Sequence, residues 1–97
     1  MQVPDNEMTQ RLYEVLAKLD NADDVRKFFE DACTIKEILE IAQRLETAVL
    51  LDEGKSYKDI SSMTGVSSAT VSRVNNCLQY GDGGYKKAIS MLNCLSD

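Results

Sequence analysis

Ser56-Tyr-Lys-Asp-Ile-Ser-Ser-Met-Thr-Gly-Val-Ser-Ser-Ala-Thr-Val-Ser-Arg-Val-Asn-Asn76 decides the fold, because two short helices and the turn between them are legible in it. Ile60 and Met63 place apolar side chains one helical step apart in the first helix. Gly65 offers the left-handed backbone that a sharp turn requires. This order of parts is typical of a helix-turn-helix, a motif that inserts its second helix into the major groove of DNA.

The second helix of the motif has an inward and an outward face. Val66 is predicted to anchor the turn and Ser67 to cap this helix, while Val71, Val74 and Leu78 recur at helical spacing and face the core. The outward positions carry small, hydroxylated and guanidinium side chains, which a major groove can accept: Ser68, Ala69, Thr70, Ser72 and Arg73. Lys and Glu are the usual residues on a solvated helix, so this composition favours a DNA-reading surface over surface filler.

Each predicted DNA contact has a stated role. Thr70 and Ala69 suit a thymine methyl group, and Thr70 is the strongest candidate for reading bases. Tyr57 either stacks on sugar or phosphate or only shields the first motif helix. Phosphate contacts are expected from Ser56, Lys58, Ser67 and Ser72. The full predicted DNA-binding set is Ser56, Tyr57, Lys58, Ser67, Ser68, Ala69, Thr70 and Ser72. The alternative interpretation of the motif is an ordinary packed helical hairpin.

The chain length predicts one domain that is completed by a second copy. With 97 residues, the chain buries only about 60–65 % of the surface that its unfolded form exposes. A homodimer is therefore expected on physical grounds. Within the domain, residues 1–53 are predicted to supply dimerisation helices, residues 54–80 the helix-turn-helix and residues 81–97 a C-terminal helix.

The formal net charge of −5 is unevenly distributed along the chain. Residues 1–53 hold 13 acidic and 6 basic residues, whereas residues 54–97 hold 5 basic and 3 acidic ones. The positive excess coincides with the motif, and an acidic surface farther away than a Debye length of about 8–10 Å does not cancel it. Lys86 and Lys87 belong to this excess, although a solvated helix face explains them equally simply.

Composition also disfavours several classes of protein. The sequence contains no histidine, so the usual general base near neutral pH is missing and an enzyme is not expected. Cys33, Cys77 and Cys94 are odd in number and widely spaced, which favours reduced thiols with a packing role over a disulfide framework or a metal site. Because no apolar run approaches the roughly 20 residues of a membrane span and the N-terminus lacks the features of a secretion signal, a cytoplasmic protein is expected.

Hydrophobic periodicity predicts helices and no strand throughout the chain. Thr34-Ile-Lys-Glu37 and Ser56-Tyr-Lys-Asp59 are capping boxes, which open the third and fourth helices. Apolar residues of the third helix form a stripe so wide that burial on more than one side is expected. The predicted helices span about residues 5–19, 23–33, 35–53, 57–63, 68–79 and 85–95, with Ala88, Ile89, Leu92 and Leu95 facing inward in the last.

From Thr34 through Leu78, and more loosely to the end, this order of parts resembles the Trp repressor family. The resemblance rests on the long capped helix ending at Gly54 and on the string Gly-Val-Ser-Ser-Ala-Thr-Val-Ser-Arg73, and residues 78–89 resemble the YerC/YecD-like branch. Lactose-repressor relatives carry a similar string, but at the N-terminus of a much longer chain. The resemblance implies an all-α, six-helix domain that forms an intertwined homodimer. It also implies a palindromic operator with half-sites roughly 34 Å apart.

The resemblance further implies a pocket for a small, amino-acid-like effector. The matching positions are Arg44, Arg73 and Thr34, with Val74 where the family has glycine and Cys77 where it has serine. A branched side chain at position 74 would clash with an indole ring, so L-tryptophan is not the expected effector. Arg73 has two other interpretations, a phosphate contact and a salt bridge.

Together these observations predict a sequence-specific DNA-binding regulator that represses amino-acid-related genes. A small-molecule effector is expected to control its activity, and no other cofactor is expected. Its predicted partners are double-stranded DNA and a second copy of the chain. The alternative is a helical protein-interaction module without DNA binding, which the acidic total charge favours. Salt dependence separates the two hypotheses, because phosphate contacts weaken steeply with salt.

Overall fold

The fold is all-α over the residues that the structure describes, as the periodicity predicted. The computed structural model describes the backbone of residues 2–96 and the side chains of residues 2–94. Within this range six helices follow one another: α1 Glu7–Lys18, α2 Ala22–Ala32, α3 Ile35–Asp52, α4 Tyr57–Thr64, α5 Ser68–Tyr80 and α6 Gly84–Ser96. The chain divides into two compact units, Met1–Ile38 and Leu39–Asp97, with the boundary inside α3.

Polar caps fix where the helices begin. The Asn6 side chain accepts a hydrogen bond from the Thr9 amide, so α1 begins at Glu7 rather than at the predicted residue 5. Asn21 caps α2 in the same way and moves its start to Ala22. Such side-chain oxygens satisfy amide groups that the first turn of a helix leaves without a partner.

The capping box predicted at the start of α3 is confirmed. The Glu37 amide donates to the Thr34 hydroxyl at 3.1 Å, and the Thr34 amide donates to the Glu37 carboxylate at 2.9 Å. Of the two bonds predicted for the box at α4, the structure contains the one from the Asp59 amide to the Ser56 hydroxyl, at 3.1 Å.

The first unit, Met1–Ile38, keeps its apolar side chains at least partly accessible. Neither α1 nor α2 contains a buried residue. On α1, Met8 is 75 % exposed, and Leu12 and Val15 are also exposed. On α2, the rings of Phe28 and Phe29 meet edge to face, with centroids 5.9 Å apart. Within the described residues of the first unit, the apolar face of these helices is therefore left at least partly accessible.

The second unit, Leu39–Asp97, contains two buried clusters that share α3 and α5. In the first, Ala48 of α3 packs with Ile89 of α6 and with two side chains of α5, Val74 and Leu78. In the second, Leu50 of α3 packs with Ile60 of α4 and Val71 of α5. The inward face predicted for α5 from Val71, Val74 and Leu78 is thereby confirmed.

Further sequence expectations differ from the structure. Leu92 of α6, predicted to face inward, is exposed. Met63 is 63 % exposed, because only Ile60 of α4 points into the cluster formed with α3 and α5. Cys77 and Cys94 are exposed, so the packing role predicted for them is wrong in this protomer. The wide stripe of α3 is buried on two sides only in its C-terminal half, while Leu39 remains exposed. The side chain of Leu95 lies outside the described residues.

Candidate nucleic-acid interface

The turn between α4 and α5 is built around Gly65. Its φ of +81° lies in the left-handed region, which confirms the prediction from sequence. The Thr64 hydroxyl donates to the Ile60 carbonyl at 2.7 Å and accepts from the Val66 amide at 3.3 Å. Val66 is partly buried and packs against the Leu50, Ile60 and Val71 cluster. Together these contacts set the direction in which α5 leaves the turn.

A contact from α3 holds the same turn from outside the motif. The side-chain amide of Gln43 donates to the carbonyl oxygen of Thr64 at 3.3 Å. Gln43 belongs to the long helix, so this bond connects the end of α4 to the scaffold. This contact could not be predicted from the sequence, because a lone glutamine on a helix gives no indication of a partner 21 positions away.

The N-terminus of α5 combines a cap with exposed small side chains. The Ser67 hydroxyl accepts from the Thr70 amide and donates to the Thr70 hydroxyl, both at 3.2 Å. The start of a helix carries a partial positive charge and unpaired amide groups, both of which favour phosphate. All but one of the predicted DNA-binding residues are exposed here, namely Ser56, Tyr57, Lys58, Ser67, Ser68, Ala69 and Ser72.

Thr70 is placed differently from the other predicted DNA contacts. Its side chain is half-buried and lines a cavity of about 210 Å³ together with Glu40, Gln43, Arg44 and Val66. The strongest base-reading candidate from sequence therefore also faces the scaffold helix α3. Any substitution of Thr70 will change both its outward surface and this inner contact.

The residues predicted for an effector have different surroundings in the structure. Arg44 lines the cavity beside Thr70, and Arg73 and Cys77 are exposed on α5. Val74 is 3 % exposed and belongs to the core cluster with Ala48. Thr34 lies in the first unit, where its amide and hydroxyl form the capping box with Glu37.

Tyr85 of α6 adds an aromatic ring beside the cluster that contains Val74, and the sequence pattern indicated no role for it. It is partly buried and packs against the cluster of Ala48, Val74, Leu78 and Ile89. Burial raises the pKa of the Tyr85 phenol and nearby Cys77 adds to the rise, whereas the guanidinium groups of Arg44 and Arg73 oppose it. Three of the residues predicted to hold an effector, Arg44, Arg73 and Cys77, thus act on the ionisation of the Tyr85 hydroxyl.

Other features of the described residues add no further chemistry to the site. A groove of about 570 Å³ lies between Asp52, Gln79, Lys86 and Asn93 and includes none of the predicted site residues. Among the described residues, no group of histidine, cysteine or acidic side chains is arranged to hold a metal ion. None of the helices in that part of the chain is long and apolar enough to cross a lipid bilayer.

The second unit is all-helical, and its long helix α3 supports α4, the left-handed turn at Gly65 and the exposed helix α5. This arrangement defines a helix-turn-helix protein. Comparison with known proteins identifies its family. The family model described as Trp repressor protein matches residues 7–93, and the chain belongs to the Trp repressor family.

Individual relatives agree with this assignment. The chain is 44 % identical over 79 residues to the YerC protein of Bacillus subtilis (strain 168), whose function is uncharacterized, and the match covers 81 % of this chain and 76 % of YerC. It is 42 % identical to a TrpR-like protein of Eubacterium eligens ATCC 27750 of known crystal structure, with a TM-score of 0.86 over 91 % of each chain. A solved structure from Staphylococcus aureus is 32 % identical, with a TM-score of 0.87 over 92 % of this chain and 89 % of that one.

Proposed function

We propose that this protein is a sequence-specific transcriptional repressor that binds operator DNA through α4 and α5. The observation that carries the proposal is the exposed N-terminal half of α5, where Ser68, Ala69 and Ser72 stand next to the Ser67 cap. Such small side chains allow a helix to approach base edges closely, and the exposed first turn of the helix carries a partial positive charge.

Charge near the motif supports phosphate binding. Lys58 is exposed on α4 and Arg73 is exposed on α5. The ion pairs of α2, which Arg26 and Lys27 form with Asp23 and Glu30, involve neither of them. Basic side chains that are not neutralised by carboxylates can release counterions from DNA. We therefore propose Lys58 as a phosphate contact that adds affinity at every sequence.

The repressor is proposed to act as a homodimer. Met8, Leu12 and Val15 of α1 are exposed in the first unit, and Leu39 and Ile41 of α3 are exposed in the second unit. Exposed apolar surfaces mark sites where one protein binds another. Two-fold symmetry then gives a palindromic operator whose half-sites are roughly 34 Å apart, so that both copies of α5 enter successive major grooves.

The proposal also concerns which genes are regulated and which effector controls the repressor. Membership of the Trp repressor family supports amino-acid-related genes as targets, acted on in the cytoplasm. L-tryptophan is not the proposed effector, because Val74 is packed in the core and the cavity beside Arg44 measures about 210 Å³. Small-molecule sites usually measure about 300–1,000 Å³.

The test is selection of duplexes from a random pool, followed by fluorescence anisotropy titration at two salt concentrations. We expect one palindromic sequence to be enriched, and its affinity to fall steeply with salt. Lys58→Ala should weaken binding to all duplexes and reduce the salt slope by about 1. Lys18→Ala is the matched control, since it removes an exposed lysine of α1.

Ala69→Ser tests base reading at an exposed position of α5, away from the inner contact of Thr70, and it should reduce the preference for the selected sequence more than the affinity for random DNA. Failure to enrich any duplex, together with binding that does not change with salt, would support the alternative of a helical protein-interaction module.

A further inference from the structure

Gln43 of α3 lies at a point where three helices of the second unit meet. Its side-chain amide donates to the carbonyl oxygen of Thr64, the last residue of α4, at 3.3 Å. Gln43 also borders the cavity that Thr70 of α5 lines. Its backbone carbonyl accepts a hydrogen bond from the hydroxyl of Thr47 at 2.7 Å, and Thr47 is fully buried. An exposed amide is thus connected to the core on one side and to the turn on the other.

The bond to Thr64 acts close to the start of α5. Only the three residues 65–67 separate Thr64 from the first residue of that helix. The Thr64 hydroxyl accepts a hydrogen bond from the Val66 amide at 3.3 Å, so the polar contacts that begin at Gln43 continue into the turn. A movement of Thr64 relative to α3 must therefore change where α5 begins.

The apolar contacts of α5 stabilise the helix but select its orientation less sharply. Val71 packs with Ile60 of α4. Val74 packs with Ala48 of α3. Apolar burial is non-directional and depends on the area removed from water, so its free energy changes little with a small rotation of α5. A hydrogen bond weakens as its angle departs from linearity, so it favours one arrangement of the turn.

We propose that Gln43 is a positioning residue for DNA reading, which acts through the turn and holds α5 in the orientation that aligns its exposed N-terminal half with base edges. This inference rests on the proposed function, because the orientation of α5 matters only if α5 reads DNA. It adds a specificity-determining residue outside the helix-turn-helix. Base contacts need this alignment, whereas attraction to phosphates tolerates small changes of orientation. Gln43 therefore affects specific binding more than non-specific binding.

The test uses Gln43→Met, which keeps the length of the side chain and removes the donor. Ile89→Val is the matched control, because it shortens a side chain of the buried cluster on α6 and should cost about as much stability as the loss of one hydrogen bond. Dissociation constants for the selected duplex and for a random duplex are measured by fluorescence anisotropy, under conditions where circular dichroism shows both variants to be folded.

Gln43→Met should raise the dissociation constant of the selected duplex about two- to tenfold, the factor that corresponds to the net contribution of one hydrogen bond. It should leave the dissociation constant of the random duplex unchanged, and Ile89→Val should change neither constant. An unchanged ratio of the two constants in folded Gln43→Met would overturn the proposal. An equal change of this ratio in Ile89→Val would also overturn it, since any loss of stability would then have the same effect.

A second measurement, amide hydrogen exchange, needs no DNA. The Gly65 amide donates to the Ser61 carbonyl at 2.9 Å, and it and the Val66 amide should exchange about two- to tenfold faster in Gln43→Met. Ile89→Val should leave both rates unchanged, because it does not affect local opening of the turn. Unchanged exchange of both amides in Gln43→Met would contradict the proposal. If wild-type protein enriches no duplex, the proposed function fails, while the exchange experiment still decides whether Gln43 holds the turn.

Discussion

The side-chain amide of Gln43 donates a hydrogen bond to the carbonyl oxygen of Thr64 over 3.3 Å. This bond joins the scaffold helix α3 to the last residue of α4, directly before the turn that starts α5. Removing it should therefore loosen the motif more than it destabilises the core.

Gln43→Ala should lower the free energy of unfolding by about 0.5–1.5 kcal/mol, the usual net contribution of one hydrogen bond. Urea denaturation measures this loss. Gln79→Ala, which shortens an exposed glutamine of α5, should change stability by less than about 0.5 kcal/mol. Equal stabilities of the Gln43 variant and wild type would show that the bond contributes nothing in solution.

Gly65→Ala should destabilise the protein through backbone conformation rather than through a clash. A Cβ atom at this position would meet only the Gln43 side-chain nitrogen, at 4.0 Å, but φ is +81°. A residue with a Cβ atom pays about 1–2 kcal/mol in the left-handed region. Gly84→Ala is the matched control, because Gly84 has neither a positive φ nor a close neighbour. It should be neutral or slightly stabilising. A cost at Gly84 equal to that at Gly65 would refute the conformational explanation.

Two substitutions of Ser67 should separate folding from DNA binding. Ser67→Ala removes the cap of α5 and should cost about 1 kcal/mol of stability. Ser67→Asp retains a good capping oxygen but adds a negative charge at the surface proposed for phosphate. It should melt close to wild type and bind DNA far more weakly. Thermal denaturation and anisotropy titration measure the two effects, and wild-type DNA affinity of Ser67→Asp would place the phosphates elsewhere.

Stability in acid should depend on Glu37. The Thr34 backbone amide and hydroxyl hold the pKa of this carboxyl below its ordinary value of 4.5. A carboxyl whose pKa is depressed by folding adds stability above its unfolded pKa, and this contribution disappears as the pH falls through the folded value. Glu37→Gln should therefore lose less stability than wild type between about pH 6 and about pH 3.

Urea denaturation at both pH values checks this dependence. Glu46→Gln, which changes an exposed carboxylate of the same helix, should retain the acid sensitivity of the wild type. An unchanged acid sensitivity of Glu37→Gln would mean that the carboxylate form contributes no stability through the capping box.

The local sequence determined the helices, the turn and the inward face of α5, because each depends on residues a few positions apart. Gly65 could be predicted to adopt the left-handed conformation, since a sharp turn between two helices needs it. Ser67 could be predicted as a cap, because the amide that donates to its hydroxyl belongs to Thr70, only three residues later. Val71 and Val74 could be assigned to the core from helical periodicity.

Only the tertiary structure decided which contacts join distant parts of the chain. Gln43 meets Thr64, and Tyr85 packs on the cluster containing Val74, because α3 and α6 pack beside the motif rather than because of any local pattern. Thr70 was predicted to face outward, yet it is half-buried, since the cavity beside Arg44 lies under the first turn of α5. Periodicity reports how side chains are distributed around one helix, whereas the position of the neighbouring helices determines which of those side chains are covered.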